Sequence, residues 1–172
     1  MKIAVIVLGT LALVALVVAG VGWSLPVRHR TSRQAAYPAT PEAVYAIITT
    51  VEEFPAWRSG LETVEIVESG SGMRTYREKS GDGTILYSVD EAVPPSRLVT
   101  RIADRTLPFG GSWTYELTPT ATGTSLRITE DGEVYNPIFR FMSRFVFTHH
   151  ATIDTYLTDL GTRFGAVPVI TE

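Results

Sequence analysis

Residues 3 to 22, Ile-Ala-Val-Ile-Val-Leu-Gly-Thr-Leu-Ala-Leu-Val-Ala-Leu-Val-Val-Ala-Gly-Val-Gly, carry no charge and nothing more polar than Thr10. In a medium without water, only a helix satisfies the peptide groups of such a run within itself. Twenty residues at about 1.5 Å rise span roughly 30 Å, the thickness of a bilayer's hydrocarbon core. Trp23 stands where an interfacial aromatic belongs, and Pro26 followed by Arg28, His29, Arg30 and Arg33 marks the exit into water. The segment is expected to be a retained, single-pass membrane anchor. A cleaved signal peptide is the alternative, with Lys2 as its charged start and Gly20-Val21-Gly22 as its small-residue site. Against that, the apolar run exceeds the roughly 7 to 15 residues of such a leader, and arginines follow it as in a stop-transfer flank. Three arginines after the segment, against Lys2 before it, place the following domain in the cytoplasm by the positive-inside rule.

Roughly 145 residues follow, enough for one domain that buries about two-thirds of its unfolded surface. The expected division is 1–27 as anchor and short linker, 28–165 as the domain and 166–172 as a tail. From Trp23 onward, 14 Lys and Arg stand against 18 Asp and Glu, a net charge of −4. That balance lacks the basic patch a phosphate backbone requires, so nucleic acid is not an expected partner. The absence of cysteine excludes disulfides and thiolate metal sites.

The hydrophobic period changes twice along the domain. Residues 29 to 37 form a polar first strand, and Thr40-Pro41-Glu42 starts a helix, with a hydroxyl N-cap and proline at the first helical position. Val44, Ile47, Ile48 and Val51 follow at helical spacing, and Phe54-Pro55-Ala56-Trp57 ends that element. From Leu61 to Tyr135 the period is mostly two. Turn signals at Gly70-Ser71-Gly72, Ser80-Gly81-Asp82-Gly83, Pro94-Pro95-Ser96 and Thr120-Ala121-Thr122-Gly123 divide it into an antiparallel meander of about six strands. Gly110-Gly111 is read, like Gly70 and Gly72, as a turn or bulge. Asn136-Pro137 then caps a second helical pattern that runs to about Phe164, with Gly165 as its stop. The class is α+β.

Four stretches carry a resemblance. Thr-Pro-Glu-Ala-Val-Tyr-Ala-Ile-Ile-Thr-Thr-Val-Glu-Glu-Phe-Pro-Ala-Trp at 40 to 57 resembles the opening helices of the SRPBCC superfamily, the START and Bet v 1-like helix-grip proteins with their polyketide cyclase/dehydrase group. Val-Asp-Glu-Ala-Val-Pro-Pro-Ser-Arg-Leu-Val at 89 to 99 and Gly-Ser-Trp-Thr-Tyr-Glu-Leu-Thr-Pro at 111 to 119 are further matches. Gly-Thr-Ser-Leu-Arg-Ile-Thr-Glu-Asp-Gly-Glu-Val at 123 to 134 is similar to the last strand before the family's long helix. The resemblance implies a curved antiparallel sheet wrapped on a long C-terminal helix, with a cavity between them for an apolar ligand. Members bind lipids, sterols, polyketides and plant hormones, and a minority catalyse cyclisation or hydrolysis. No catalytic motif is common to them all, so no catalytic residue is carried over.

On that implied cavity the side chains can be placed by period. Ile138, Met142, Phe145, His149, Ile153, Tyr156, Leu160 and Phe164 recur every three or four residues and make one stripe. His149 lies in it, either as a core histidine held by a strand residue or as a group that hydrogen-bonds a ligand or moves a proton. His150 is rotated about 100° away and pairs with Asp154 at i, i+4. Neither histidine has another at helix-ligand spacing, so no metal is expected, and no cofactor. On the last strand Leu126, Ile128 and Glu130 share a face, which turns Glu130 into the cavity unless the strand bulges at Asp131-Gly132 or the carboxylate reaches solvent. Trp113, Tyr115 and Leu117 alternate in the same way, with Trp113 assigned to the core. The expected ligand contacts are Tyr115, Leu117, Ile128, Glu130, Met142, Phe145, His149 and Ile153. Arg140 and Arg144 make a solvated face or touch anionic lipid heads.

Three functions follow as expectations. The first is a membrane-anchored binder of a hydrophobic small molecule or lipid. The second is a polyketide cyclase/dehydrase-like enzyme with His149 or Glu130 as acid/base. The third is an interaction module whose cavity has collapsed, with Tyr115 and Tyr156 packed together.

Overall fold

The computed structural model describes residues 2–68, 74–146 and 150–172, with the backbone alone at residues 4, 5 and 68. The apolar run forms helix α1, Lys2–Ser24, and its window Ile6–Ser24 has a mean hydropathy of 2.4 with only 6% of it covered by the rest of the chain. Strand β1, Arg28–Tyr37, follows after three residues. Thr40 then caps α2, Pro41–Thr49, accepting from the Ala43 amide, and a 3-10 turn over Val51–Ala56 contains Pro55.

Six strands make the expected meander: β2 Leu61–Glu68, β3 Thr75–Ser80, β4 Gly83–Val93, β5 Arg97–Ile102, β6 Phe109–Thr120 and β7 Gly123–Val134. Each pairs antiparallel with the next, and β1 adds to β7, giving one curved seven-stranded sheet in the order β1-β7-β6-β5-β4-β3-β2. The tight β6–β7 hairpin depends on Gly123, whose φ is +149° and whose missing Cβ would stand 2.0 Å from the Tyr37 carbonyl oxygen. Gly110 and Gly111 are neither turn nor bulge. They lie inside β6 in unbroken register with Glu133 and Gly132, where two facing glycines let the backbones of β6 and β7 approach closely. Gly70 and Gly72 lie outside the described residues.

The C-terminal helical pattern is carried by two helices. Asn136 caps α3, Pro137–Phe145, by accepting from the Ile138 and Phe139 amides, and α4 is Ala151–Arg163 with Gly165 at φ +67° beyond it. Ile153, Tyr156, Leu157 and Leu160 on α4 pack into the sheet with Tyr37, Leu98, Leu117, Leu126 and Ile128, each at most 5% exposed. Burying each such aliphatic side chain contributes about 1.5 to 3 kcal/mol before conformational entropy is counted. Polar ties fix the helix to strand β1: Arg33 grips Asp154 with two hydrogen bonds, 2.8 and 3.1 Å, and the Tyr37 hydroxyl donates to the Leu157 carbonyl. The expected His150–Asp154 pair is present at 4.0 Å but is secondary to that of Arg33. The last residues return to the sheet, where Thr171 and Gln34 exchange two backbone hydrogen bonds.

Candidate functional site

A cavity of about 370 Å³ lies between the sheet and the helices α3 and α4. Period two builds its sheet wall. Tyr76 and Glu78 on β3, Ile85 and Tyr87 on β4, Thr100 and Ile102 on β5, Trp113 and Tyr115 on β6, and Glu130 and Val134 on β7 all point the same way. Phe139 and Ser143 from α3 and Thr152 from α4 close the helical side.

The buried end is aromatic around one ion pair. The Arg58 backbone amide donates to the Phe54 carbonyl at the end of the 3-10 turn, which sends the side chain into the cavity. Its guanidinium stands 2.5 Å from a Glu78 carboxylate oxygen and lies 5.1 and 5.2 Å from the ring centroids of Phe54 and Tyr156. Burial is the largest influence and works against the Arg58 charge, but Glu78, together with Tyr156 and Tyr115, offsets it and the guanidinium pKa stays raised. Tyr76 and Tyr87 stack at 5.5 Å beside it. Burial pushes the Tyr115 hydroxyl up to about 12, and Tyr76, Tyr87 and Tyr156 upward as well, so these phenols remain neutral hydrogen-bond donors at neutral pH. Tyr115 and Tyr156 do pack, with ring centroids 5.8 Å apart, yet the cavity persists beside them. The Tyr156 hydroxyl and the Trp57 indole N–H are buried without a hydrogen-bond partner among the described residues.

A second polar group stands on the β1 side. Trp113 Nε1 donates to Glu130 Oε2 at 2.9 Å, and His29 Nε2 lies 3.1 Å from Glu130 Oε1. Gly132 makes this possible: a Cβ there would stand 2.2 Å from the His29 ring. Glu130 therefore has its acceptors engaged by neighbours from two other strands, at 20% side-chain exposure.

Of the residues expected at the ligand, Tyr115 and Glu130 stand on this wall. Leu117, Ile128 and Ile153 lie in the packed core behind it. Phe145 is 59% exposed and Met142 half-buried, because α3 ends before α4 begins and the two helices do not share one stripe; Phe139 and Ser143 face the cavity instead. His149 lies outside the described residues. Trp113, assigned to the core, touches both core and cavity. Sequence reasoning passed over Arg58, Glu78 and His29. Glu78 had a usable signal, a carboxylate two residues from Tyr76 on one strand face, whereas Arg58 and His29 reach their partners only through the fold.

Residues 28–158 match the profile of a family described as polyketide cyclase / dehydrase and lipid transport. No match was found among curated proteins. The chain is similar in structure to a START superfamily protein from Mycobacterium smegmatis, at 16% identity and a TM-score of 0.64, over 80% of this chain and 97% of that one. It is similar to Zhui aromatase/cyclase from Streptomyces sp. R1128, at 13% identity and a TM-score of 0.61, over 77% and 91% of the two chains. With the di-domain ARO/CYC StfQ from the steffimycin biosynthetic pathway it shares 13% identity and a TM-score of 0.64. There 81% of this chain matches, and it spans about half, 52%, of that longer protein. Likeness at such identities is one of fold.

Proposed function

We propose, from the premise that the chain belongs to the polyketide cyclase / dehydrase and lipid transport family, that it is a membrane-anchored binding protein for a hydrophobic small molecule or lipid. The observation that carries this is the cavity itself. At about 370 Å³ it falls within the range of small-molecule sites, with aromatic walls and a few convergent polar groups. The ligand's apolar body lies against Ile85, Ile102, Trp113 and Tyr115, and a carbonyl or hydroxyl meets Arg58 or Glu78. Helix α1 holds the domain at a bilayer, where such ligands partition, and the arginines after it favour a cytoplasmic domain under the positive-inside rule.

A second reading rests on Glu130. A carboxylate on the cavity wall, hydrogen-bonded to an imidazole, is equipped to move a proton, as a cyclase/dehydrase-like enzyme requires.

Native mass spectrometry of the full chain in detergent, with organic extraction, tests both. A co-purifying apolar molecule is expected, and Ile102→Trp, which fills the cavity, should remove it while the fold is retained. An empty chain that also takes up no apolar fluorescent probe would defeat the binding reading. Chemical change of the extracted ligand on incubation with the chain, lost in Glu130→Gln with binding kept, would favour the enzyme.

A further inference from the structure

Helix α3 is strongly amphipathic, yet no residue of it is buried by the rest of the described chain. Phe141, Phe145, Ile138, Met142 and Phe139 form one continuous face, against Arg140, Ser143 and Arg144 on the other. Ile138, Phe139 and Phe145 are each more than half exposed, and so is Val146 just beyond the helix. In water such a surface is an aggregation liability.

Its position identifies what covers it. The start of α3 rests on the end of α1: a Cβ at Gly22 would stand 1.9 Å from the Pro137 carbonyl oxygen. The Arg140 guanidinium donates to the Leu25 carbonyl at 2.9 Å and the Tyr135 carbonyl at 3.2 Å. That bond sets a cation at the C-terminal end of α1, where the helix dipole favours one. The helix is thus clamped at the depth where α1 leaves the hydrocarbon, the level that Trp23, 77% exposed, also marks.

We propose that α3 is an interfacial helix, lying in the headgroup layer with its Ile138–Phe145 face against the acyl chains of the bilayer that α1 spans. The proposal rests on the reading of α1 as an anchor and adds a second, in-plane contact to it. Phe139 and Ser143 belong to both α3 and the cavity wall, so the seated helix sets that wall beside the lipid.

The lack of cysteine permits single nitroxide labels on the full chain in vesicles, at Val14→Cys, Ile138→Cys, Phe145→Cys and Thr162→Cys. Relaxation by oxygen and by an aqueous nickel complex then reports depth. Labels at 138 and 145 are expected about 5 to 10 Å within the headgroup/acyl boundary, with nickel access reduced severalfold relative to Thr162→Cys. If those two match Thr162→Cys while Val14→Cys is protected, α3 lies in water and the inference falls with the anchor intact. Nickel access at Val14→Cys would remove the anchor and the inference together. Quenching of a Phe145→Trp variant by brominated lipid, read against the chain's own three tryptophans, checks the result without a label.

Discussion

Arg58 and Glu78 show how much one pair can cost to disturb. Their side chains are 20% and 9% exposed, and each charge is tolerated only because the other is there. Arg58→Ala leaves a carboxylate uncompensated among tyrosines, and should destabilise the chain by about 3 kcal/mol in denaturant titration. Arg58→Met combined with Glu78→Leu removes both charges and should cost less than the single change. A double variant as unstable as Arg58→Ala would show that the pair's role is packing. Arg58 does not announce itself in sequence, since it follows an aromatic turn, and the signal of Glu78, two residues from Tyr76, is masked by the charged run Arg77-Glu78-Lys79. Glu130 was readable because Leu126 and Ile128 precede it on one face. Its contact with His29 was not, as 101 residues separate them.

At the level of elements, strand β6 depends on Gly111, where φ is +130° and a Cβ would meet the Asp131 carbonyl oxygen at 2.4 Å. Backbone cannot turn aside as a side chain can. Gly111→Ala should therefore cost about 2 kcal/mol or more, and Gly132→Ala, which meets chiefly the movable ring of His29, distinctly less; thermal unfolding of the two variants makes the comparison. Elements that announce themselves locally were legible: Thr40-Pro41 and Asn136-Pro137 as caps, the turns at residues 80–83, 94–96 and 120–123 as hairpins, and the period-two runs as strands. The division into α3 and α4 was not, because apolar spacing continues across residues 146 to 150 whether or not the helix does. Reading one stripe through it joined Met142 and Phe145 to Ile153 and missed Leu157, which is fully buried. Element order supplied the α+β class and the resemblance the helix-grip arrangement, but period and spacing could not separate wall from core along a strand such as β7.

Buried and half-buried phenols stand in both of the molecule's packed clusters. Tyr37, Tyr76, Tyr87, Tyr115 and Tyr156 all have raised pKa values, with burial the largest cause in each case. In the unfolded chain these groups lose their protons near pH 10, whereas Tyr115 holds its own to about 12 in the folded one. Between those values the folded state binds more protons, so stability falls as pH rises; it is fully present below about pH 10. Denaturant midpoints should be flat from neutral pH to about 9 and drop above about 10, with tyrosinate absorbance lagging until the chain unfolds. A midpoint unchanged at about pH 11 would contradict the burial of these phenols.

Only Leu25, Pro26 and Val27 separate α1 from β1, and the Val27 carbonyl already accepts from the Val134 amide. Three residues reach about 10 Å at most. On the proposed reading, with α1 in a bilayer and a ligand in the cavity, a domain on so short a leash would not ferry cargo through water to a second membrane. It would trade by lateral encounter in its own plane, at a rate that follows the density of molecules per area of membrane.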